Sequence, residues 1–430
     1  MSFQFYACLF IFVITVISYC LKKIPMGLTA LISLMALTLS GCLEAKDVLT
    51  LFGNNNLIMI ASMMVVAAGF NRTQFCSKLA TGISRVAKGN LRWMIAGYCT
   101  AGMLLSQFIQ APTAVFGILA PMAAASVAVI GVSPSKIMFP LGVTILSTCC
   151  ILPLGTGATV FAELNGYMEE YGYTAYVMDI WDPARARTPI IIIAILYMTF
   201  VSTKFTPDQP VVEISNAFKT NVKKEPLPLF KETAGYIIFI LTSVGLMTSQ
   251  QIGIPVWEVS LLGALAMVVF GVLSPEEGTK ALPMDMLFLI IGALGMSSAL
   301  TNTGVGNALG EIVSKMVVAV DGNSYLVGAL FFLIPFAMTQ FMNNRGTMMV
   351  FYPIAIATCA SIGANPIGLM NLIQAACLTA FMTPMATPSV PYIMAAGGYD
   401  QKAMLKMAWL PAIIFSIVSV GWIMTVFPLF

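Results

Sequence analysis

The stretch at 339–347 reads Thr-Gln-Phe-Met-Asn-Asn-Arg-Gly-Thr and separates two strongly apolar arms, 323–338 and 348–363. Neither arm reaches the roughly 20 apolar residues that a membrane-spanning helix needs. Two short apolar helices meeting at a polar tip indicate a re-entrant hairpin, since irregular backbone at membrane depth requires surrounding protein or a water-filled cavity. Arg345 at such a tip is a functional candidate. The tip alone fits a solvent loop between two short spans equally well.

The whole chain is strongly apolar. Of its 430 residues 59% are hydrophobic and only 9% are charged, against about 25% charged in soluble proteins. This predicts an all-α polytopic membrane protein surrounded by lipid. The net charge of +3 gives no indication of a nucleic-acid partner, and the absence of histidine excludes histidine-based catalysis. The nine cysteines lack metal-ligand spacing, and we interpret them as buried free thiols.

The same series of segments occurs twice. Repeats at 1–203 and 234–430 flank a polar cytoplasmic linker at 204–233. Each contains scaffold spans, an interfacial helix, a hairpin, a broken helix and a closing span. The predicted bounds, in that order, are 3–70, 71–90, 91–131, 134–168 and 188–203, then 234–300, 302–320, 323–363, 366–397 and 404–428. The first segment, 3–21, lacks a basic leader and a cleavage site, and we interpret it as a retained span.

Sequence landmarks recur at offsets of 230 to 233 positions, which indicates internal duplication. The matching pairs are Ile24-Pro25 with Ile254-Pro255, Gly41 with Gly271, Gln107-Phe108 with Gln340-Phe341, and Pro153 with Pro384.

Each half is predicted to hold five spans and a hairpin that returns to its own side. Because five is odd, the second half is predicted to be inverted. With both termini outside, 16 basic residues lie on the inner side and five outside, which accounts for all 21. This distribution agrees with the positive-inside rule. The outer five are Lys46, Arg185, Arg187, Lys315 and Arg345.

Inverted repeats with broken helices are typical of secondary transporters, whose sites lie near the midplane where the repeats meet. Here two hairpin tips and two helix breaks, at 152–157 and 383–388, are expected to converge. Helix amino termini there favour anions. The carbonyl groups freed at the breaks suit a small cation such as Na⁺.

Three stretches resemble motifs of the divalent-anion/sodium symporter family, part of the ion-transporter superfamily. The tip at 339–345 is similar to an aromatic residue followed by Ser-Asn-Thr, and 384–388 is similar to the family's Pro-x-Ala-Thr-Pro break. Gly397-Gly398-Tyr399 resembles a glycine-rich turn of bacterial members. The resemblance implies an elevator-type homodimer in the bacterial inner membrane, in which hairpins, broken helices and closing spans move against the scaffold.

The resemblance also implies which residues bind substrate and ion. The substrate candidates are Gln110, Thr113, Thr156, Asn343, Asn344, Arg345, Thr347 and Thr387. The Na⁺ candidates are Ser106, Gly155, Thr339, Asn344 and Ala386. Beyond Na⁺ as a coupling ion, no cofactor is implied.

Two departures from the family pattern bear on coupling. The first tip has Ala111-Pro112 in place of Asn-Thr, which removes an oxygen from the first sodium site. The second tip has Arg345 in place of Thr. Its guanidinium can bind a carboxylate at two points or replace the sodium charge. A Na⁺ about 4 Å away would be repelled by about 4 kcal/mol at an effective dielectric of about 20. We predict one Na⁺ or none, with proton coupling and anion exchange left open.

The sequence therefore favours a secondary active transporter of small organic anions, with dicarboxylates such as succinate, malate or fumarate as the default. The alternative is a cation/proton antiporter or an inorganic oxyanion carrier, which would need a buried carboxylate pair or a tighter site of donors. An intramembrane enzyme or a channel is a third, weaker alternative. Glu163 is the acid nearest the proposed site in sequence, and we interpret it as a surface carboxylate rather than a proton carrier.

Overall fold

The computed structural model describes residues 3–21, 23–75, 82, 87, 89–109, 112–214, 227–282, 284–305, 308, 323–340, 344–384, 386–387 and 389–430. Over these residues the chain is helical and contains no strand, which confirms the predicted all-α class. Most of the interfacial helices predicted at 71–90 and 302–320, and the middle of the linker, lie outside the described residues.

The helices of the amino-terminal half are α1 Phe3–Leu21, α2 Met26–Leu39, α3 Ala45–Phe52, α4 Asn55–Arg72, α5 Leu91–Ser106, α6 Pro112–Val129, α7 Met138–Thr148, α8 Thr156–Glu170 and α9 Asp182–Phe200. Those of the carboxy-terminal half are α10 Leu229–Met247, α11 Val256–Val269, α12 Pro275–Lys280, α13 Met284–Asn302, α14 Ser324–Thr339, α15 Asn344–Ile362, α16 Ile367–Leu378, α17 Ser389–Gly397 and α18 Gln401–Val426.

Local sequence sets many of these bounds. Pro25 and Pro255 precede α2 and α11, where a residue without a backbone N–H costs nothing. Gly41 and Gly271 follow the same two helices with φ of 73° and 68°, a conformation that favours glycine. Both helices are 14 residues long, too short to cross a bilayer upright.

Among the residues that the structure describes, six helical stretches are long and apolar enough to cross a membrane by length and composition. They are Ala45–Phe70, Pro112–Val129, Asp182–Lys204, Leu229–Leu246, Asn344–Ile362 and Gln401–Val426. Shorter apolar helices, including α2, α11, α14 and α16, lie among them. Large apolar side chains are exposed on α1, α10, α11 and α18, as expected of a chain surrounded by lipid.

The helices pack across the two halves of the chain. α2 lies against α13, and α4 lies against α11. The second helix of each broken segment crosses over in the same way: α8 contacts α15, whereas α17 contacts α6 and α7. The buried apolar residues form two clusters, one around α5, α6, α7, α9, α17 and α18, and one around most of the remaining helices.

Three details differ from the sequence-based bounds. α3 and α12 are short helices between the predicted spans. α9 begins at Asp182 rather than 188, because Pro183 suits a first helical turn. The first break occupies 149–155, since α7 ends at Thr148 and α8 starts at Thr156. Cys149 and Cys150 are buried free thiols, as predicted, but they lie inside this break.

Candidate functional site

The first helix break is organised by the side chain of Gln107, which follows α5 and is fully buried. Its Nε2 donates to the carbonyl oxygen of Thr148 at 2.7 Å. Its Oε1 accepts the N–H groups of Ile151 and Leu152, both at 3.0 Å. The amide thus satisfies backbone groups that lose their helical partners at the break.

Thr156 attaches the start of α8 to the first hairpin. Its N–H and its Oγ1 both donate to the carbonyl oxygen of Gln107, at 3.0 and 3.1 Å. Gly155, at φ 69°, makes this approach possible. A Cβ on Gly157 would lie 1.9 Å from the carbonyl oxygen of Leu152, so only glycine fits there. The first tip and the first break are therefore held in one rigid unit.

The second break is attached to its own hairpin in the same manner. The hydroxyl of Thr383 donates to the carbonyl oxygen of Gln340, the residue that follows α14. At the same tip the hydroxyl of Thr339 donates to Oδ1 of Asn344 at 2.8 Å. Two residues predicted to hold Na⁺ therefore contact each other directly.

Each hairpin also reaches the broken segment of the other half. The hydroxyls of Thr113, in the first turn of α6, and Ser389, which begins α17, lie 3.2 Å apart. From the second hairpin, Arg345 Nη1 lies 2.6 Å from Glu163 Oε2 on α8. Each hairpin end therefore contacts the broken segment of the other half.

The Arg345–Glu163 ion pair is the charged centre of this region. The Glu163 side chain is 3% exposed and that of Arg345 is 26% exposed. The rings of Tyr167 and Tyr352, from α8 and α15, lie 5.4 Å apart, and Tyr352 interacts electrostatically with both charges. The interpretation of Glu163 as a surface carboxylate is wrong, because the tip of the other half covers it.

A second arginine is buried at the first break. Arg187 on α9 is 1% exposed. Its Nη2 donates to the carbonyl oxygen of Ser147 at 2.9 Å, and its Nη1 to that of Cys149 at 3.2 Å. Arg187 is therefore buried within the protein, and its position on the outer side of the membrane stays a prediction. A cation at the carboxy-terminal end of a helix is stabilised by the last carbonyls and by the helix dipole.

The turn after α17 connects this segment to the first half. The hydroxyl of Tyr399 donates to the carbonyl oxygen of Ser135 and accepts the N–H of Phe139 at 3.2 Å. A Cβ on Gly397 would meet the Tyr399 ring at 2.1 Å, and Gly398 has φ 65°. The Gly-Gly-Tyr motif thus positions α17 through close packing at Gly397 and the hydrogen bonds of Tyr399.

The fold is shared with solved transporter structures. The Neisseria gonorrhoeae efflux pump MtrF aligns with a TM-score of 0.64, covering 98% of this chain and 94% of MtrF. The Alcanivorax borkumensis YdaH transporter aligns with a TM-score of 0.61, covering 90% of this chain and 91% of that one. Both are 13% identical in sequence, so this likeness concerns the fold alone.

Residues 9–344 match the family model CitMHS, described as citrate transporter. The chain belongs to the citrate transporter family. This confirms the family resemblance drawn from the motifs. Members and relatives are membrane transporters, not enzymes, and the prediction of a multi-pass transporter is confirmed to that extent.

Sequence relatives of this citrate transporter family member agree. The sodium-dependent dicarboxylate transporter SdcS of Staphylococcus aureus (strain USA300) is 23% identical over 95% of this chain and 83% of SdcS. An uncharacterized Synechocystis transporter is 28% identical over 34% of this chain, and one from Haemophilus influenzae is 30% identical over 35%. These matches span only 24% and 32% of the lengths of the two uncharacterized relatives.

The predicted site residues fall into three groups. Thr113, Thr156 and Arg345 make the contacts described above. Thr347 and Ala386 are fully buried, and Thr387 is half-buried with its hydroxyl accepting the N–H of Ser389 at 3.4 Å. Gln110 and Asn343 lie outside the described residues.

Ser106, a predicted Na⁺ ligand, makes hydrogen bonds within the protein. The hydroxyl of Ser106 donates to the carbonyl oxygen of Met103 at 2.7 Å, and the carbonyl of Ser106 accepts from Thr156 at 3.1 Å. Glu163, Arg187 and Gln107 were missed as site-forming residues. The sequence offered a clue to Gln107, because this residue matches Gln340 between the two proposed repeats. It offered no clue to Arg187, which was predicted to lie among the outer charges.

An apolar groove of about 540 Å³ between α10 and α11 is a weaker candidate for the site. Its lining, which includes Phe230, Leu241, Leu262 and Phe270, carries no charged side chain. Such a surface suits lipid rather than an anion.

Proposed function

We propose that this protein is a secondary active transporter of small organic anions, with dicarboxylates as the default substrates. The main support for this proposal is the position of Arg345, whose guanidinium lies at a hairpin tip and contacts the other half of the chain. Guanidinium groups bind carboxylates at two points, with geometry that a lysine cannot reproduce. The name of SdcS, a dicarboxylate transporter, and that of the family, citrate transporter, support a carboxylate substrate.

We further propose that the halves are inverted repeats. Helix bounds support this: α2 and α11 begin 230 positions apart, as do α3 and α12, and α5 and α14 begin 233 apart. The reciprocal packing of α8 on α15 and α17 on α6 is what a pseudo-twofold relation would produce. The family resemblance supports an elevator motion, a homodimer and a location in the bacterial inner membrane. The charge distribution supports external termini.

The two breaks provide different electrostatic environments for a coupling cation. At the first, the guanidinium of Arg187 already lies on the carbonyls of Ser147 and Cys149, where a cation would be expected. At the second, Thr339 and Asn344 bond to each other close to Arg345. Both features favour transport that does not depend on Na⁺, with a proton or a second anion as the coupled species.

The test is thermal stabilisation of the purified protein by a panel of mono-, di- and tricarboxylates, sulfate and phosphate, in Na⁺ and in choline buffers. A ligand that binds only the folded state raises the apparent stability, by about 2.7 kcal/mol at 100 times its Kd. We expect succinate, malate or fumarate to stabilise the protein without Na⁺. Stabilisation only by citrate would shift the substrate class to tricarboxylates, and stabilisation only by sulfate or phosphate would favour an oxyanion carrier.

Two arginine variants make the test specific. Arg345→Ala is expected to abolish the shift and the uptake of labelled succinate into proteoliposomes. Arg185→Ala is the matched control, because Arg185 lies at the exposed start of α9 in an ion pair with Asp182. A carboxylate shift that persists undiminished in Arg345→Ala would remove Arg345 from the binding site. A shift that requires Na⁺ would contradict the proposed coupling.

A further inference from the structure

The ion pair between Arg345 and Glu163 involves the guanidinium at which a substrate carboxylate is proposed to bind. Nη1 of Arg345 already donates to a carboxylate, at 2.6 Å, and this carboxylate belongs to the protein. A substrate carboxylate that binds at Nη1 would compete with Glu163 for that donor. The exposure of the two partners is unequal, since Arg345 is 26% exposed and Glu163 only 3%. Arg345 is therefore the more accessible partner of the pair, and Glu163 is the buried one.

Displacement would leave Glu163 as a buried carboxylate without its cation. Breaking a buried ion pair by removing one partner is strongly destabilising, because the remaining charge is uncompensated. A carboxylic acid escapes that cost by taking up a proton. Oε1 of Glu163 has no hydrogen-bond partner among the described residues, so an oxygen atom is available to carry the proton.

The surroundings of Glu163 offer it few other charges. α8 packs against α4, α9, α13 and α15. Besides Arg345, the titratable side chains of these helices and of the break are Tyr167, Glu169 and Glu170 on α8, Arg72 on α4, Asp182, Arg185, Arg187 and Tyr197 on α9, Asp285 on α13, Tyr352 and Cys359 on α15, and Cys149 and Cys150 in the break. Arg187 is engaged with helix-end carbonyls, so Arg345 is the cation paired with Glu163.

We propose that Glu163 is the proton-coupling residue of this transporter. One substrate carboxylate replaces Glu163 on Arg345, and one proton from water binds the released Glu163 carboxylate. On release of the substrate the proton leaves and the ion pair forms again. The inference rests on the proposed function, since it requires a carboxylate to bind at Arg345. It also explains how the empty carrier returns: the re-formed pair is neutral, so no net charge crosses the membrane in that step.

The direct test measures protons taken up when succinate binds to the full-length protein in weakly buffered, Na⁺-free detergent solution containing a pH indicator. The experiment is performed above the pKa values of succinate, so that the ligand itself contributes no proton exchange. We expect about one proton per bound succinate in the wild type. Glu163→Gln keeps an amide oxygen for Arg345 but cannot take up a proton, and its uptake is expected to fall to zero. Glu169→Gln, an exposed position on the same helix, is expected to retain the full uptake.

Transport gives a second readout. In Na⁺-free proteoliposomes with the membrane potential clamped at zero, an inwardly directed gradient of one pH unit is expected to drive about tenfold accumulation of succinate, since one coupled proton contributes a factor of ten. Glu163→Gln is expected to equilibrate succinate without accumulating it. The Glu169→Gln control is expected to accumulate it like the wild type.

The outcomes separate this inference from the proposed function. Succinate binding to the wild type without proton uptake overturns the role of Glu163 and leaves the anion transporter intact, and this measurement needs no variant. Undiminished proton coupling in Glu163→Gln overturns it as well. If no carboxylate binds either the wild type or Glu163→Gln at any pH, both the proposed function and this inference fail.

Discussion

Replacing Gln107 by Leu tests whether one side-chain amide holds the first break together. Gln107→Leu removes the three hydrogen bonds to the break, with Thr148, Ile151 and Leu152, and leaves their buried backbone groups without this partner. It also removes the bonds within and next to α5, to Met103 and Ser106. Each buried group left unsatisfied costs about 1–3 kcal/mol, so the three groups of the break predict a loss of about 3–9 kcal/mol of unfolding free energy. With an unfolding entropy of roughly 2.1 cal/mol/K per residue, this lowers the Tm by about 3–10 °C.

A second glutamine that directly follows a helix provides a matched control. Gln340 occupies the corresponding place after α14, yet its Nε2 makes one bond, to the carbonyl oxygen of Phe336 at 3.2 Å. Its Oε1 has no partner among the described residues. We therefore expect Gln340→Leu to cost about 1 kcal/mol or less.

Thermal unfolding in detergent compares the two variants of this pair. Amide hydrogen exchange at Ile151 and Leu152 should become faster only in Gln107→Leu. Equal destabilisation by the two substitutions, or unchanged exchange at the break, would refute the assignment of the break to the Gln107 side chain.

Three further substitutions probe the frame of the site, each by thermal unfolding. Arg187→Ala should lower the free energy of unfolding by about 3–5 kcal/mol, because it removes a buried cation bonded to two helix-end carbonyls. Arg187→Lys should recover part of that loss. An unchanged stability of Arg187→Ala would contradict the role of Arg187 in holding the first break. Gly157→Ala should lower the yield of folded protein, since its Cβ would overlap a backbone carbonyl. Gly421→Ala, with open space around the added Cβ, should stabilise the protein by about 0.5–1 kcal/mol. Similar behaviour of the two variants would be inconsistent with the clash at Gly157. Tyr399→Phe should cost about 1–3 kcal/mol through two lost hydrogen bonds, and an unchanged Tm would show that neither bond contributes.

Much of the helical architecture could be predicted from the sequence, because the length and the ends of membrane helices depend on local composition. Apolar length, proline and glycine at helix ends, and repeated landmarks predicted the order of the segments and the two polar hairpin tips. The family motifs indicated a carboxylate site near Arg345. These inferences rest on local composition, which the sequence contains in full.

The sequence could not assign the buried charges, because burial depends on which segments meet. Glu163 precedes Glu169 and Glu170 on the same helix, and the local pattern favours a surface interpretation for all three. Only the packing of α15 across α8, from a residue 182 positions away, covers Glu163 and pairs it with Arg345. Arg187 similarly resembles a loop charge until the end of α7 is placed against α9.

The sequence by itself determined an all-helical membrane protein of a transporter family, with an arginine between two apolar helices, since hydropathy and turn chemistry act over a few residues. The tertiary structure decided that this arginine is bonded to the buried carboxylate of Glu163, and that a second arginine lies on the helix-end carbonyls of the first break. Both outcomes arise because the packing of distant segments brings opposite charges and helix-end carbonyls within hydrogen-bond distance.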